Sequence, residues 1–263
     1  MALDTKLIQA IRSKNYNAWA ESKTPSRPGI TCDTDDLLEP FTDHPEFRSI
    51  TAGRWKRIVS WDLGKLHNPS AMLIIKFREL TSGWGYSRFN RFPAESYVTP
   101  IYQVIGAYES HDDYTEQVMR IQALQAQMGD DPWCIFDGSG VGVAVEESVR
   151  YMDGFERVVA LQIVGGESMK TSGRFTVTGK SKLLSELEQA IKQKRVQIPD
   201  VKALDKLNRQ LKGLQVEETV QGHYRTIDDK RGNDHFDQLM ALAMGIAYVE
   251  YQMAMYRPFQ WVC

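Results

Sequence analysis

Two short apolar runs that each close on an aspartate constrain this chain more than any other feature. Ile58–Asp62 (IVSWD) leads into Leu63-Gly64, and Trp133–Asp137 (WCIFD) leads into the glycine-rich GSGVG of residues 138–142. Short apolar runs bounded by turn formers read as buried strands, so both acids fall where a strand ends and a loop begins. Taken singly, an aspartate after a strand is an ordinary turn former or helix cap. Taken together with an acid on a helix laid against the sheet, such carboxylates can converge on one point.

The remaining pattern alternates. After the first strand, Ala71–Phe77 (AMLIIKF) is a second, Arg88–Phe92 a weaker one, and YQVIGAYE at 102–109 a third. Val118, Ile121, Leu124 and Met128 recur at helical spacing within the segment 110–128, which predicts a helix there. A helix follows the glycine-rich loop at 138–142, then a strand at 157–164 (RVVALQIV), a helix at 181–194 and a helix at 202–211. KGLQVEETV and HYRTI flank Gln221-Gly222 as a hairpin. A last long helix runs from about Asn233 to Tyr251. Early hairpin strands, then strand–helix alternation, indicate a layered α/β fold with a mixed central sheet flanked by helices and a β-hairpin before the last helix. Residues 1–56 read differently: a short amphipathic helix over Leu3–Trp19, a turn-rich break (SKTPSRPGI) and the acidic run DTDDLLEP, forming an N-terminal arm or linker ahead of a domain at 57–263.

In the last helix, Asp234 and Asp237 are three residues apart and project from one face. Ala241, Ala243 and Gly245 follow; these small residues would let the helix press against the sheet and bring its acids to the strand ends. Close carboxylates repel unless cations neutralise them, and hard oxygen ligands suit magnesium or manganese. An acid-rich first turn favoured by the helix dipole is the plainer alternative.

SWDLG, IFDGSGVG and NDHFDQLMALA, in that order and spacing, resemble the three acidic motifs of the nuclease domain of large terminase subunits of tailed bacteriophages. The resemblance covers about residues 57–250 and includes GKSKLLSELEQAIKQKRVQIP, similar to that family's helix before the final acid. The family's closing motif usually reads His-Asp-Asp before an Ala-Leu-Ala run, whereas this chain has His235-Phe236-Asp237 and then Ala241-Leu242-Ala243. The resemblance implies an RNase H-like fold related to RuvC-type resolvases, and a metal-dependent endodeoxyribonuclease that cuts concatemeric viral DNA during packaging. Asp62, Asp137 and Asp237 would be catalytic and hold two Mg²⁺ or Mn²⁺ ions, with Asp234 a further ligand and His235 orienting a carboxylate or water. It also implies double-stranded DNA, an ATPase motor domain, the small terminase subunit and the portal as partners, in the cytoplasm of the infected host. A stand-alone resolvase or nuclease and a catalytically silent scaffold of the same fold are the alternatives.

Charge fits a phosphate-bearing partner. Net charge is -2, yet residues 165–232 carry fourteen lysines and arginines against nine acids, and Arg174, Lys180 and Lys182 are the candidate DNA contacts. Other features exclude classes. The longest apolar run, Leu239–Val249, has 11 residues where a bilayer span needs about 20. The amino terminus carries no secretory pattern. Three widely separated cysteines make no disulfide framework or Cys-rich zinc site. Gly173 and Gly179 enclose five residues where a phosphate-binding P-loop has four, and Gly138, Gly140 and Gly142 have GxGxG rather than dinucleotide spacing. His111-Asp112-Asp113 imitates the closing triplet but reads as the N-cap of the helix that follows.

Overall fold

The computed structural model describes residues 50–64, 69–83, 96–125, 128, 131–140, 142–150, 154–213, 215–218, 224–227 and 236–256. The expected helix at Leu3–Trp19, the acidic run, the weak strand at Arg88–Phe92, the turn at Gln221-Gly222, Asp234 and His235 lie outside these residues.

In chain order the described elements are β1 (Ile50–Ala52), β2 (Lys56–Asp62), β3 (Ser70–Gly83), β4 (Ser96–Ser110), α1 (Tyr114–Gln125), β5 (Trp133–Asp137), α2 (Gly142–Arg150), β6 (Arg157–Val164), β7 (Met169–Ser172), β8 (Phe175–Gly179), α3 (Lys180–Lys192), β9 (Val196–Gln197), a 3₁₀ turn (Lys202–Leu204), α4 (Asp205–Gly213), β10 (Gln215–Glu218), β11 (Tyr224–Ile227) and α5 (Asp237–Tyr256). The main sheet runs β7-β8-β6-β5-β2-β3-β4-β9, and β10 pairs with β11 apart from it. β2, β3 and β4 form an antiparallel meander. β5, β6 and β8 then add in parallel beyond β2. β1, which sequence reasoning counted with the arm, pairs with Leu80–Ser82 of β3 beyond the part that β2 occupies.

The period-2 alternation of strand side chains divides the core into two layers. Ile58 and Ile135 face one side with Leu73 and Ile75, packed against Leu183, Leu207, Leu242 and Ile246 of α3, α4 and α5. Val59, Trp61, Cys134 and Phe136 face the other, covered by Ile121 of α1 and Val145 and Val149 of α2. Met128 joins this second layer although α1 ends at Gln125. The position of α5 between sheet and outer helices explains its composition. Every residue from Gln238 to Val249 is buried, so the helix is apolar nearly all round rather than along a stripe.

Contact between α5 and β2 is close. The Ser60 hydroxyl donates to the Ala241 carbonyl at 2.5 Å. A Cβ at Gly245 would lie 2.8 Å from Ile75 Cδ1 and 3.3 Å from Ser60 Cβ. Tyr248 meets Trp133, the first residue of β5, edge-on at 5.9 Å. The helix therefore runs antiparallel to β2 and β5, with its first residue beside their carboxyl ends. At its other end Glu250 accepts from the Tyr102 hydroxyl at 2.7 Å and pairs with the buried Arg195, which also donates to the Pro100 carbonyl.

Two further features differ from expectation. β7 and β8 form an unforeseen edge hairpin in which Ser172 pairs with Phe175. Gly173 opens its two-residue turn at φ 59, a conformation that favours glycine. The helix expected at 202–211 is a 3₁₀ turn followed by α4.

A side chain larger than Ala at Gly245 has to push α5 off the sheet. Gly245→Val is expected to cost about 1–3 kcal/mol by overpacking. Gly245→Ala should cost less, because better helix propensity of about 1 kcal/mol offsets the crowding. Urea unfolding of the two variants against the parent checks the order.

Candidate functional site

Strand direction and register bring the acids together. β2 and β5 are parallel neighbours with Trp61 opposite Phe136, so Asp62 and Asp137, the last residues of the two strands, stand level. Alternation puts both on the side of Ser60 and Ile135, the side that α5 covers. Asp237 is the first residue of α5. From Ala241 back to Asp237 the helix rises about 6 Å, and from Ser60 forward to Asp62 the strand advances about 6.6 Å. The Ser60–Ala241 hydrogen bond therefore places the helix acid level with the strand acids.

Electrostatics records the result. The Asp62 carboxyl is pushed up to about 8, first by burial, then by the charges of Asp137 and Asp237, against the opposing pull of the Lys180 ammonium. Charged groups from three other elements thus act on Asp62 at the carboxyl edge of the parallel strands.

Each acid stands on a braced backbone. Asp137 Oδ1 accepts from the Ser139 N–H at 2.8 Å, and the Ser139 hydroxyl accepts from the Ile163 N–H at 2.8 Å. The glycines of this loop serve close approach rather than a dinucleotide. A Cβ at Gly142 would lie 2.0 Å from the Asp137 carbonyl oxygen, and one at Gly138 2.9 Å from Ala160 Cβ. After Asp62, the Tyr114 hydroxyl donates to the Gly64 carbonyl at 2.7 Å, and the Gly64 N–H donates to Ser70 Oγ at 3.0 Å. At the start of α5, Gln210 of α4 accepts from the Leu239 N–H at 2.9 Å, one of the helix N–H groups that lack an intrahelical partner. Gln238 donates to Glu109 at 3.2 Å, and Glu109 pairs with Lys206 at 2.5 Å.

The three cations expected to meet DNA divide. Arg174 pairs with Glu146 at 3.4 Å and Glu147 at 3.8 Å, and Lys182 pairs with Glu186 one helical turn on. Lys180 is the one whose charge reaches Asp62. Sequence reasoning placed Lys180 among the phosphate contacts but missed its nearness to the acids. It also missed the bracing by Tyr114, Ser139 and Gln210, and isolated polar residues carry no periodic signal that could have shown it. Of the decoys, Asp113 is the N-cap of α1, its Oδ1 accepting from the Glu116 N–H at 2.9 Å. The would-be P-loop forms β8 and the start of α3.

Among the described residues, no three of His, Cys, Asp and Glu are gathered closely enough to hold a metal ion as they stand. The donor set nevertheless fits a hard divalent cation. It is all oxygen, and the burial and neighbouring charge that raise Asp62 are costs that such an ion offsets.

The displacement of Asp62 has a stability consequence. Between its unfolded value of 3.8 and about 8, the folded protein holds a proton that the unfolded chain has released. Stability drawn from this group is complete below pH 3.8 and falls as pH rises to about 8. In EDTA, the melting temperature of Asp62→Asn is expected to gain on the parent steadily from pH 5 to pH 8. The gain at pH 8 should reach several degrees, at about 2–4 °C per kcal/mol for a chain of this size. A pH-independent difference between the two proteins contradicts this account.

No family model matches the chain, and no curated protein matches it. Solved structures do. The nuclease domain of the large terminase subunit gp2 of bacterial virus Sf6 is 13% identical, with a TM-score of 0.50, and the match covers 94% of this chain and 98% of that one. A mutant of that domain with manganese and beta-thujaplicinol gives a TM-score of 0.53 at 13% identity, with the same coverage. The large terminase nuclease from thermophilic phage G20c is 19% identical with a TM-score of 0.47, over 74% of this chain and 82% of that one. At these identities the likeness is one of fold, and it answers the expectation from the acidic motifs: the chain has the RNase H-like fold of large terminase nuclease domains.

Proposed function

We propose that this chain is a divalent-metal-dependent endodeoxyribonuclease, the part of a phage packaging terminase that cuts concatemeric viral DNA. One arrangement carries the reading: Asp62 and Asp137 end neighbouring parallel strands and Asp237 begins the helix laid against them, and the Asp62 carboxyl is raised by burial and then by the charges of the other two. The fold shared with terminase nuclease domains supports it, and one of those domains was solved with manganese.

In this reading Asp62, Asp137 and Asp237 are the catalytic acids and the metal ligands, with Asp234 as a spare ligand and His235 orienting a carboxylate or water. Bound magnesium or manganese would polarise a water for attack and neutralise charge on the leaving 3′ oxygen. The protein keeps the acids at fixed places. Ser139 fixes the Asp137 rotamer, Tyr114 and Ser70 fix the loop after Asp62, and Gln210 holds the first turn of α5. Duplex DNA is attracted through its phosphates by the basic stretch at 165–232, so affinity falls as salt rises. An ATPase motor, the small terminase subunit and the portal are the partners of such a nuclease, in the cytoplasm of the infected host. Among the described residues no helix is long and apolar enough to cross a membrane.

Cleavage of supercoiled plasmid is the test. Nicking and linearisation are expected with Mn²⁺ or Mg²⁺, none in EDTA, and a loss of at least about 10²-fold in Asp137→Asn. Equal activity in parent and variant contradicts the site, and a preference for four-way junctions over linear duplex favours a resolvase. Binding can be read without activity: at 100 times its Kd, Mn²⁺ should stabilise the parent by about 2.7 kcal/mol in thermal unfolding, and Asp62→Asn far less.

A further inference from the structure

A second charged feature lies on the sheet, far from the acids. Ala71 of β3 stands opposite Asp62, and Arg78 lies seven residues further along the strand, about 23 Å away. Lys76 and Arg78 alternate with Ile75 and Phe77, which face α5. Both cations therefore project from the other side, that of Met72 and Ile74. Lys76 is opposite Gln103 of β4, Arg78 is opposite Ile101, and Leu80 extends the row. Trp55 lies across the cations, its ring centre 4.5 Å from Lys76 Nζ and 4.9 Å from the Arg78 guanidinium. All five strand residues are buried, Lys76 to 4% exposure and Arg78 to 6%, yet Leu80 and Ile101 belong to neither core layer. Trp55 Nε1, a donor, and Gln103 Oε1, an acceptor, are buried there with no hydrogen-bond partner among the described residues.

Lysine and arginine are almost never buried this far without opposite charge beside them. Charge and reach select what covers this face. The segment 33–39 (DTDDLLE) holds four acids, no cation and the apolar pair Leu37-Leu38. Its last residue stands 11 positions before Ile50, a reach of up to about 36–40 Å. β1 pairs with Leu80–Ser82, so the chain enters the sheet within four residues of Arg78 along β3, about 13 Å. Other stretches outside the described residues fit less well. Residues 84–95 hold two arginines and one glutamate, and residues 257–263 hold an arginine and no acidic side chain. The acids of 228–235 lead directly into α5, whose start lies at the opposite edge.

We propose that the acidic segment 33–39 docks on this face of the sheet, its carboxylates pairing with Lys76 and Arg78 while Leu37 and Leu38 cover Leu80 and Ile101. The amino-terminal arm is then part of the domain rather than a tether. This docking does not depend on the nuclease reading. Its test uses Cys32, the residue before the acidic run, in the full chain with Cys263→Ser; Cys134 is buried. With Thr99→Cys, at the position opposite Leu80, a short bis-maleimide should join 32 to 99 within one chain. With Val164→Cys, an exposed residue at the carboxyl end of β6, it should not. Changing Asp33, Asp35 and Asp36 to Asn and Glu39 to Gln should cut the 32–99 cross-link at least about fivefold and lower the melting temperature by at least about 2 °C. These changes alter the arm alone, so the sheet folds whatever their effect, and Arg78→Gln should weaken the same cross-link. A cross-link that survives neutralisation of all four acids, or that forms equally with Val164→Cys, overturns the proposal. A product of twice the chain mass overturns it in favour of the arm of a second copy. A folded parent that gives no product at position 99 overturns it in favour of another segment.

Discussion

The approach of α5 to β2 governs the molecule. At Gly245 the helix has no side chain, and the strand offers it Ser60, whose hydroxyl reaches the Ala241 carbonyl. That contact helps set both the depth and the axial position of a helix whose surface is otherwise mostly apolar. Once Ala241 is level with Ser60, Asp237 is level with Asp62, because a turn of helix and two residues of strand span nearly the same length. The parallel pairing of β2 and β5 adds Asp137 at the same height. The close contact of helix and strand and the acids at the strand ends are therefore one arrangement seen at two ends. The Glu250–Arg195–Tyr102 network pins the opposite end of the helix.

The acids oppose the fold that positions them. Asp62 is held as a neutral acid at pH values below about 8 by burial and by its neighbours, so charging it works against folding. Two features moderate the cost. The amino end of α5 carries the positive end of its dipole beside Asp237, and Lys180 contributes a full positive charge. Neither cancels the repulsion, and a cation bound as proposed would relieve what remains. Sites tuned for a ligand in this way give up stability when empty, which is why replacing an acid by its amide can stabilise a protein while disabling it.

Much of this was legible in the sequence, and the reasons for success and failure are physical. IVSWD and WCIFD announce themselves because strands buried on both faces are nearly continuous in apolar residues. RVVALQIV corresponds residue for residue to β6. The small residues of the last helix signalled its close packing. The β7–β8 hairpin was missed because its buried positions include Thr176 and Thr178, while β7 is mostly exposed; polar residues at core positions erase the alternation on which strand recognition depends. β1 has three residues, too few for any period, and exists through the length of β3. The link between Lys180 and Asp62 joins positions 118 residues apart, and nothing local marks it. Asp237 and its spacing to the small residues were readable, whereas the bracing by Gln210 and Tyr114 arises only from tertiary packing.

The most direct test of the central claim is crystallographic: anomalous diffraction at the manganese edge from crystals of the full chain soaked in Mn²⁺. Anomalous peaks are expected among the carboxylates of Asp62, Asp137 and Asp237. Ordered crystals that show manganese elsewhere on the protein, or none at these three acids at saturating concentration, would contradict it.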